Sequence, residues 1–161
     1  MFVDEINVKL IAGKGGDGCT SFHHEKCMPN LGPDGANGGH GASIIFEVDK
    51  GLRTLVDLRY NKIIKGEKGE NGKGSNRTGA DAKDVIIKVP EGTTIIDLDT
   101  NLIIADLTKD KERITVAQGG RGGRGAVLCL GDGGQARDQD GGQQKFVHAT
   151  LLTQRRPMAS A

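Results

Sequence analysis

Cys19, His23, His24 and Cys27 fall within nine residues, enough thiol and imidazole to suggest zinc ligation. Zinc sites more often use C-x₂-C pairs, and only Cys129 and His148 remain as further ligands of this kind outside that stretch and His40. The flanks, GGDG and MPN, are poor helix sequence, so no element is there to hold a ligand face. The expectation is a loop of ordinary thiols and imidazoles with no metal. The nearest approach to a phosphate-binding loop is ENGKGS. Such a loop needs G-x-x-x-x-G-K-[ST], because backbone N–H groups cradle phosphate and the hydroxyl binds magnesium. Here Glu67 stands where the first glycine belongs and Gly74 replaces the hydroxyl residue. No nucleotide site is expected. Asp97, Asp99 and Asp106 flank a hairpin and read as solvated, and an EF-hand fails because Leu102 occupies its glycine position. With no nucleophile–base pair in sight, the chain is expected not to be an enzyme.

Phosphate contact has more support. Between Lys50 and Arg77 the basic residues are Lys50, Arg53, Arg59, Lys62, Lys65, Lys68, Lys73 and Arg77, against Asp57, Glu67 and Glu70. Arg121 and Arg124 sit in GGRGGRG, an RGG-like run of the kind that contacts single-stranded RNA. Arginine engages phosphate through a bidentate fork and stacks on bases. Any one lysine is as well explained by solubility, but the set points to RNA. Stacking platforms are few: Phe22 in a loop, with Tyr60 assigned to the core. Binding would be led by shape and phosphate.

The elements that must carry these side chains are marked by glycine. Gly32, Gly35, Gly38 and Gly41 form one ladder of period three, Gly66, Gly69 and Gly72 a second, and Gly119, Gly122 and Gly125 a third. Gly13 and Gly16 open a shorter one, with Gly15 and Gly18 out of phase. Helices repeat at 3.6 residues and strands at two, so neither accounts for three. Polyproline II does, and its glycine face lets another backbone come close. Flexible loops are the competing reading. Collagen is excluded, because the repeats are short, interrupted and nearly free of proline.

Between the ladders lie β-rich stretches: residues 2–11 (with Phe2, Ile6, Val8 and Leu10), 43–48, 52–60, 84–89, 93–98, 101–107 and 113–118. No stretch has a sustained helical stripe. Hydrophobic residues are 35% and aromatic residues 3% of the chain, so the core must be small and aliphatic. The net charge of +1 neither demands nor excludes a polyanionic partner. No secretory signal or membrane-spanning run is seen, and three cysteines fit a reducing compartment, so a cytoplasmic location is expected.

The segments FVDEINVKLIAGKGGDG, GPDGANGGHGASIIFEVDKGLRTLVDLRY, DVIIKVPEGTTIIDLDTNLIIADLT and AQGGRGGRG together resemble the N-terminal domain of the Obg/CgtA family of GTPases over residues 1–125. The resemblance implies the Obg fold, mainly β with polyproline II: a glycine-rich bundle of polyproline II helices on a small β-barrel-like base. It implies a module that docks on the large ribosomal subunit among its rRNA, with GTP and magnesium confined to a GTPase domain outside this chain. The proposed contacts are then Lys62, Lys65, Lys68, Lys73 and Arg77 from one tip, with Lys14, His23, His24 and Lys26 beside them, and Arg121 and Arg124 as further contacts. The family's loop often reads R-R-E-K where this chain has His23-His24-Glu25-Lys26, which weakens the charge there. From Ala126 the chain departs from the family pattern. Residues 126–161 read either as a tail with a closing strand at 145–152 or as a foreign or disordered one. The alternative function is a protein-interaction module that contacts the parent GTPase domain or a stress-response partner.

Overall fold

The computed structural model describes residues 5–24, 26, 32–126 and 146–153. Phe2, Cys27, Cys129, Lys145 and the remainder of residues 127–145 and 154–161 lie outside the described residues. The fold is mainly β with almost no helix. Its strands are β1 Glu5–Ile11, β2 Ile44–Val48, β3 Ile63–Lys65, β4 Val85–Val89, β5 Thr93–Asp97, β6 Ile103–Leu107, β7 Arg113–Ala117 and β8 Phe146–Thr153. They form a five-stranded sheet of order β3-β1-β8-β5-β6 and a three-stranded sheet of order β4-β2-β7.

The alternation that marks the strands in the sequence also builds the core. Ile6, Val8 and Leu10 of β1 turn inward while their neighbours stay more exposed, as side chains on opposite faces of a strand must. Ile44, Phe46 and Val48 do the same from β2. With Ile87, Val89, Ile95, Leu107 and Leu151 they make one apolar cluster shared by both sheets. Aliphatic side chains and a single buried phenylalanine fill it. Within the five-stranded sheet, β8 pairs antiparallel with β1 (Ile6 opposite Leu151) and with β5 (Ile95 opposite Leu151).

Two local expectations are corrected. Residues 52–60 do not form a strand: Val56–Tyr60 is a short helix, α1. Leu55 and Leu58 are both buried, three residues apart, while Asp57 and Arg59 are exposed. A strand that faced Leu55 inward would drag Asp57 and Arg59 into the core, and one helical turn avoids this. Tyr60, assigned to the core from sequence, is 81% exposed for the same reason. The three-residue strand β3 was not expected. It is added parallel to β1 and pairs Ile63 with Lys9 and Lys65 with Ile11.

The glycine-rich stretches form five segments: 12–19, 34–43, 66–74, 77–84 and 118–126. The first leaves the end of β1 and the second returns to β2. The third leaves β3, the fourth returns to β4, and the fifth leaves β7. All five therefore spring from one end of the strand core. None contains a regular strand, yet their backbones are bonded side by side at intervals of three residues. Gly13, Gly16 and Cys19 donate N–H to the carbonyls of Ala42, Gly39 and Ala36. Gly66, Gly69 and Gly72 donate to Ile11, Lys14 and Asp17, and Gly120, Gly123 and Ala126 to Gly13, Gly16 and Cys19. Gly79, Ala82 and Val85 donate to Asn37, His40 and Ser43. Buried backbone polar groups need such partners, and here they find them across segments.

Glycine is required by close approach. A Cβ on Gly38 would run into the carbonyl of Gly16, and one on Gly69 into that of Gly39. Gly39 and Gly79, which fall outside the three ladders, are packed equally tightly, against Ala80 and Glu70 carbonyls. Gly32, the first member of its ladder, differs. It has open space about it and a φ of +114°, so its role is a left-handed bend that L side chains resist.

Candidate nucleic-acid interface

The five segments set where each basic side chain stands. Lys62 and Lys65 lie at the sheet end, since the Lys62 carbonyl accepts the Lys9 N–H and Lys65 pairs with Ile11. Lys68 and Lys14 lie further out and share one carboxylate: Lys68 Nζ is 3.2 Å from Asp17 Oδ2 and Lys14 Nζ 3.6 Å from Asp17 Oδ1. The Lys68 hydrogen bond, aided by the Lys14 charge, holds the Asp17 carboxyl below the ordinary aspartate range. Lys73 and Arg77 stand at the far end, beside the turn where Asn76 donates its N–H to the Asp34 carbonyl. From Lys62 to Lys73 is up to about 36–40 Å of extended chain. The lysines expected at a single tip are thus strung from β3 to the far end of the third segment.

Lys73 Nζ is bonded to Glu70 Oε1 at 2.7 Å, and the Glu70 carboxyl is lowered chiefly by that bond. In the stretch that came nearest a phosphate loop, the lysine is paired with Glu70 and the chain then turns at Ser75 and Asn76, with no helix following directly. Arg121, Arg124 and Arg77 are exposed, and among the described residues they make no ion pair. His24 and Lys26 are also exposed, while His23 Nδ1 lies 3.7 Å from Asp34 Oδ2.

Asp34 organises the far end, a role that sequence reasoning missed. Ser21 Oγ donates to its Oδ1 at 2.5 Å and the Ser75 N–H to its Oδ2 at 3.0 Å. Its one advance signal was its place between a glycine ladder and a proline. The Ser21 bond, then the Ser75 N–H, hold its carboxyl below the ordinary value. A carboxylate with a depressed folded pKa stabilises above its unfolded pKa, and loses that contribution as pH falls through the folded one. Amide-exchange protection at Ser75 and Asn76 is accordingly expected to drop below about pH 4, the ordinary carboxylate range. Asp34→Ala at neutral pH should give the same loss, and unchanged protection in the variant would contradict the assignment.

The carboxylates near the hairpin have structural partners. Asp97 accepts from the Asp99 N–H and from Thr100 Oγ1, closing the β5–β6 turn, and Asp106 accepts from Thr94 Oγ1. No group of metal-ligating side chains is found among the described residues; Cys27 lies outside them. Phe22 is exposed, bridged to Pro33 across the loop. Another exposed aromatic, Phe146, lies under the Lys9 ammonium, 5.9 Å from the ring centroid.

The GTP1/OBG family pattern matches residues 3–149, more than nine-tenths of the chain. The chain belongs to the GTP1/OBG family. It is 54% identical over 127 residues to the GTPase Obg of Limosilactobacillus reuteri (strain DSM 20016), an alignment that covers 79% of this chain and 29% of that protein. It is 53% identical over 125 residues to the GTPase Obg of Staphylococcus aureus (strain Newman), covering 78% and 29% respectively. The chain thus spans under a third of the length of these Obg relatives. The family match runs past residue 126 and into β8. No helix among the described residues is long and apolar enough to cross a membrane.

Proposed function

We propose that this chain is the ribosome-docking module of an Obg-type GTPase and contacts rRNA of the large subunit during its assembly. The carrying observation is the set of five glycine-rich segments, bonded every third residue, that project from one end of the β core with lysine and arginine at their surface. The three-residue spacing supports reading the segments as a bundle of polyproline II helices on a barrel-like base. A cross-linked projection of this kind keeps its shape as it enters a crevice, and small glycines let its backbone approach a crowded RNA surface. GTP hydrolysis, with its magnesium, is assigned to the part of the Obg protein that this chain does not align with, in the cytoplasm. The contact set is Lys14, His23, His24, Lys26, Lys62, Lys65, Lys68, Lys73, Arg77, Arg121 and Arg124.

The test is cosedimentation of the purified chain with large ribosomal subunits across a salt series. Phosphate-led binding should fall steeply and linearly on a log–log plot, because neutralised phosphates release counterions. A second reading is favoured by three exposed side chains: Tyr60 and Ile63 at the β3 edge of the five-stranded sheet and Phe146 on its middle strand. That surface suits a protein partner such as the parent GTPase domain. Binding that survives high salt, with none to ribosomal subunits, would select it.

A further inference from the structure

Each glycine-rich segment has three faces, one for each residue of its repeat, and the hydrogen bonds identify them. In the fifth segment, Gly119, Gly122 and Gly125 donate to Ser43 Oγ, His40 Nδ1 and Asn37 Oδ1 of the second. Gly120, Gly123 and Ala126 donate to the first segment. The phase left over is Arg121 and Arg124, both exposed. In the first segment, Gly13, Gly16 and Cys19 are bonded to the second, while Gly15 and Gly18 lie against the carbonyls of Arg121 and Arg124. Its remaining phase is Lys14 and Asp17. In the third segment, Gly66, Gly69 and Gly72 are bonded to the first, and the carbonyls of Glu67, Glu70 and Lys73 accept from the second. Its remaining phase is Lys68, in line with Lys65 at the end of β3. The second segment is thus enclosed, and the fifth, first and third lie side by side around it.

Three solvent-facing rows therefore run in parallel: Arg121 and Arg124, then Lys14 and Asp17, then Lys65 and Lys68. Five positive charges meet one negative charge. The fourth segment, away from this face, is balanced: it carries Arg77 and Lys83 with Asp81 and Asp84, and the two carboxylates accept from the His40 and Ser43 N–H groups. Gly15 and Gly18 let the first and fifth segments pack backbone to backbone, which brings the arginine row close to the Lys14 row.

Resting on the rRNA-docking reading, we infer that this lateral face tracks the RNA backbone, and that Asp17 is its built-in competitor, occupying Lys14 and Lys68 until a phosphate displaces it. Successive rungs of a three-residue extended repeat are about 9 Å apart, so the two arginines of one row meet two different phosphates along a strand. Exposed ion pairs are worth little in water, so exchanging the Asp17 carboxylate for phosphate costs little.

The experiment compares the full chain with three variants for cosedimentation with large ribosomal subunits, with circular dichroism to confirm that each is folded. Arg121→Glu with Arg124→Glu should weaken binding roughly tenfold or more and flatten the log–log salt slope by about 1.4, two contacts at about 0.7 each. Asp17→Asn should tighten binding severalfold. Lys73→Glu with Arg77→Glu, at the far end, should change it less than the arginine pair does. If the arginine pair has no effect and the far-end pair abolishes binding, the lateral face is overturned while rRNA docking stands. If Asp17→Asn weakens binding, the competitor role is overturned. If the folded wild-type chain does not bind, both the docking reading and this inference fall.

Discussion

Gly38→Ala should destabilise the chain by about 3–5 kcal/mol, more than half the total stability of many domains of this size. The new methyl group would meet the Gly16 carbonyl, a backbone atom that no rotamer change can move aside. That carbonyl accepts the Gly123 N–H at 2.8 Å, while Gly38 itself donates to Gly123 at 2.9 Å and Gly16 to Gly39 at 2.8 Å. Any shift that makes room opens bonds in three segments at once. Overpacking alone costs about 1–3 kcal/mol, and each buried donor or acceptor left unmet adds a similar amount. Against this, alanine restricts the unfolded chain and returns less than about 1 kcal/mol. Gly51→Ala is the control: its Cβ would meet only the Asp49 side chain, and its cost should stay within about 0.5 kcal/mol. Urea midpoints of the two variants decide the matter. Equal midpoints would mean that the segments are not held together by backbone proximity.

Leu151→Ala should cost about 3 kcal/mol, within the range of fully buried leucine truncations. Leu151 is fully buried in β8, opposite Ile6 of β1 on one side and Ile95 of β5 on the other. The cavity would open at the middle of the five-stranded sheet, where neighbours on both flanks are fixed by their own ladders. Phe146→Ala, at the exposed start of the same strand, removes a larger side chain yet should cost under about 1 kcal/mol. Equal losses for the two would mean that β8 does not occupy the interior position.

Much of the strand core could be read from the sequence, because alternation is a local signal. β1, β2 and β4–β7 each carry it within a few residues of their observed bounds. β3 was missed since three residues, two of them isoleucine, carry no alternation to detect. α1 was misread because Leu52, Val56, Leu58 and Tyr60 share one parity, and only the burial of Leu55 reveals the turn. The glycine period was equally legible. Which segment lies beside which was not: that follows from the two sheets, which fix where each segment starts. The expected cluster of lysines at one tip missed this, since residues near in sequence along an extended segment are far apart in space. The outward rows of lysine and arginine become visible only once the hydrogen bonds assign a face to every third residue. Asp34 left almost no trace in the sequence, because its partners Ser21 and Ser75 approach from two different segments.

The interior place of β8 has a consequence for how the chain comes to be folded. Glu5 pairs with Leu152 and Thr93 with Thr153, so the last strand described is the one that joins the two halves of its sheet. Until about 150 residues have left the ribosome, β1 with β3 and β5 with β6 are separate ribbons, each with an open edge. At about 5–20 residues per second that interval lasts several seconds. During it, two unpaired edges, each carrying two isoleucines, are exposed to one another and to other chains. Synthesis rate, and any helper that shields those edges, should therefore govern the yield of native chain more strongly than its final stability does.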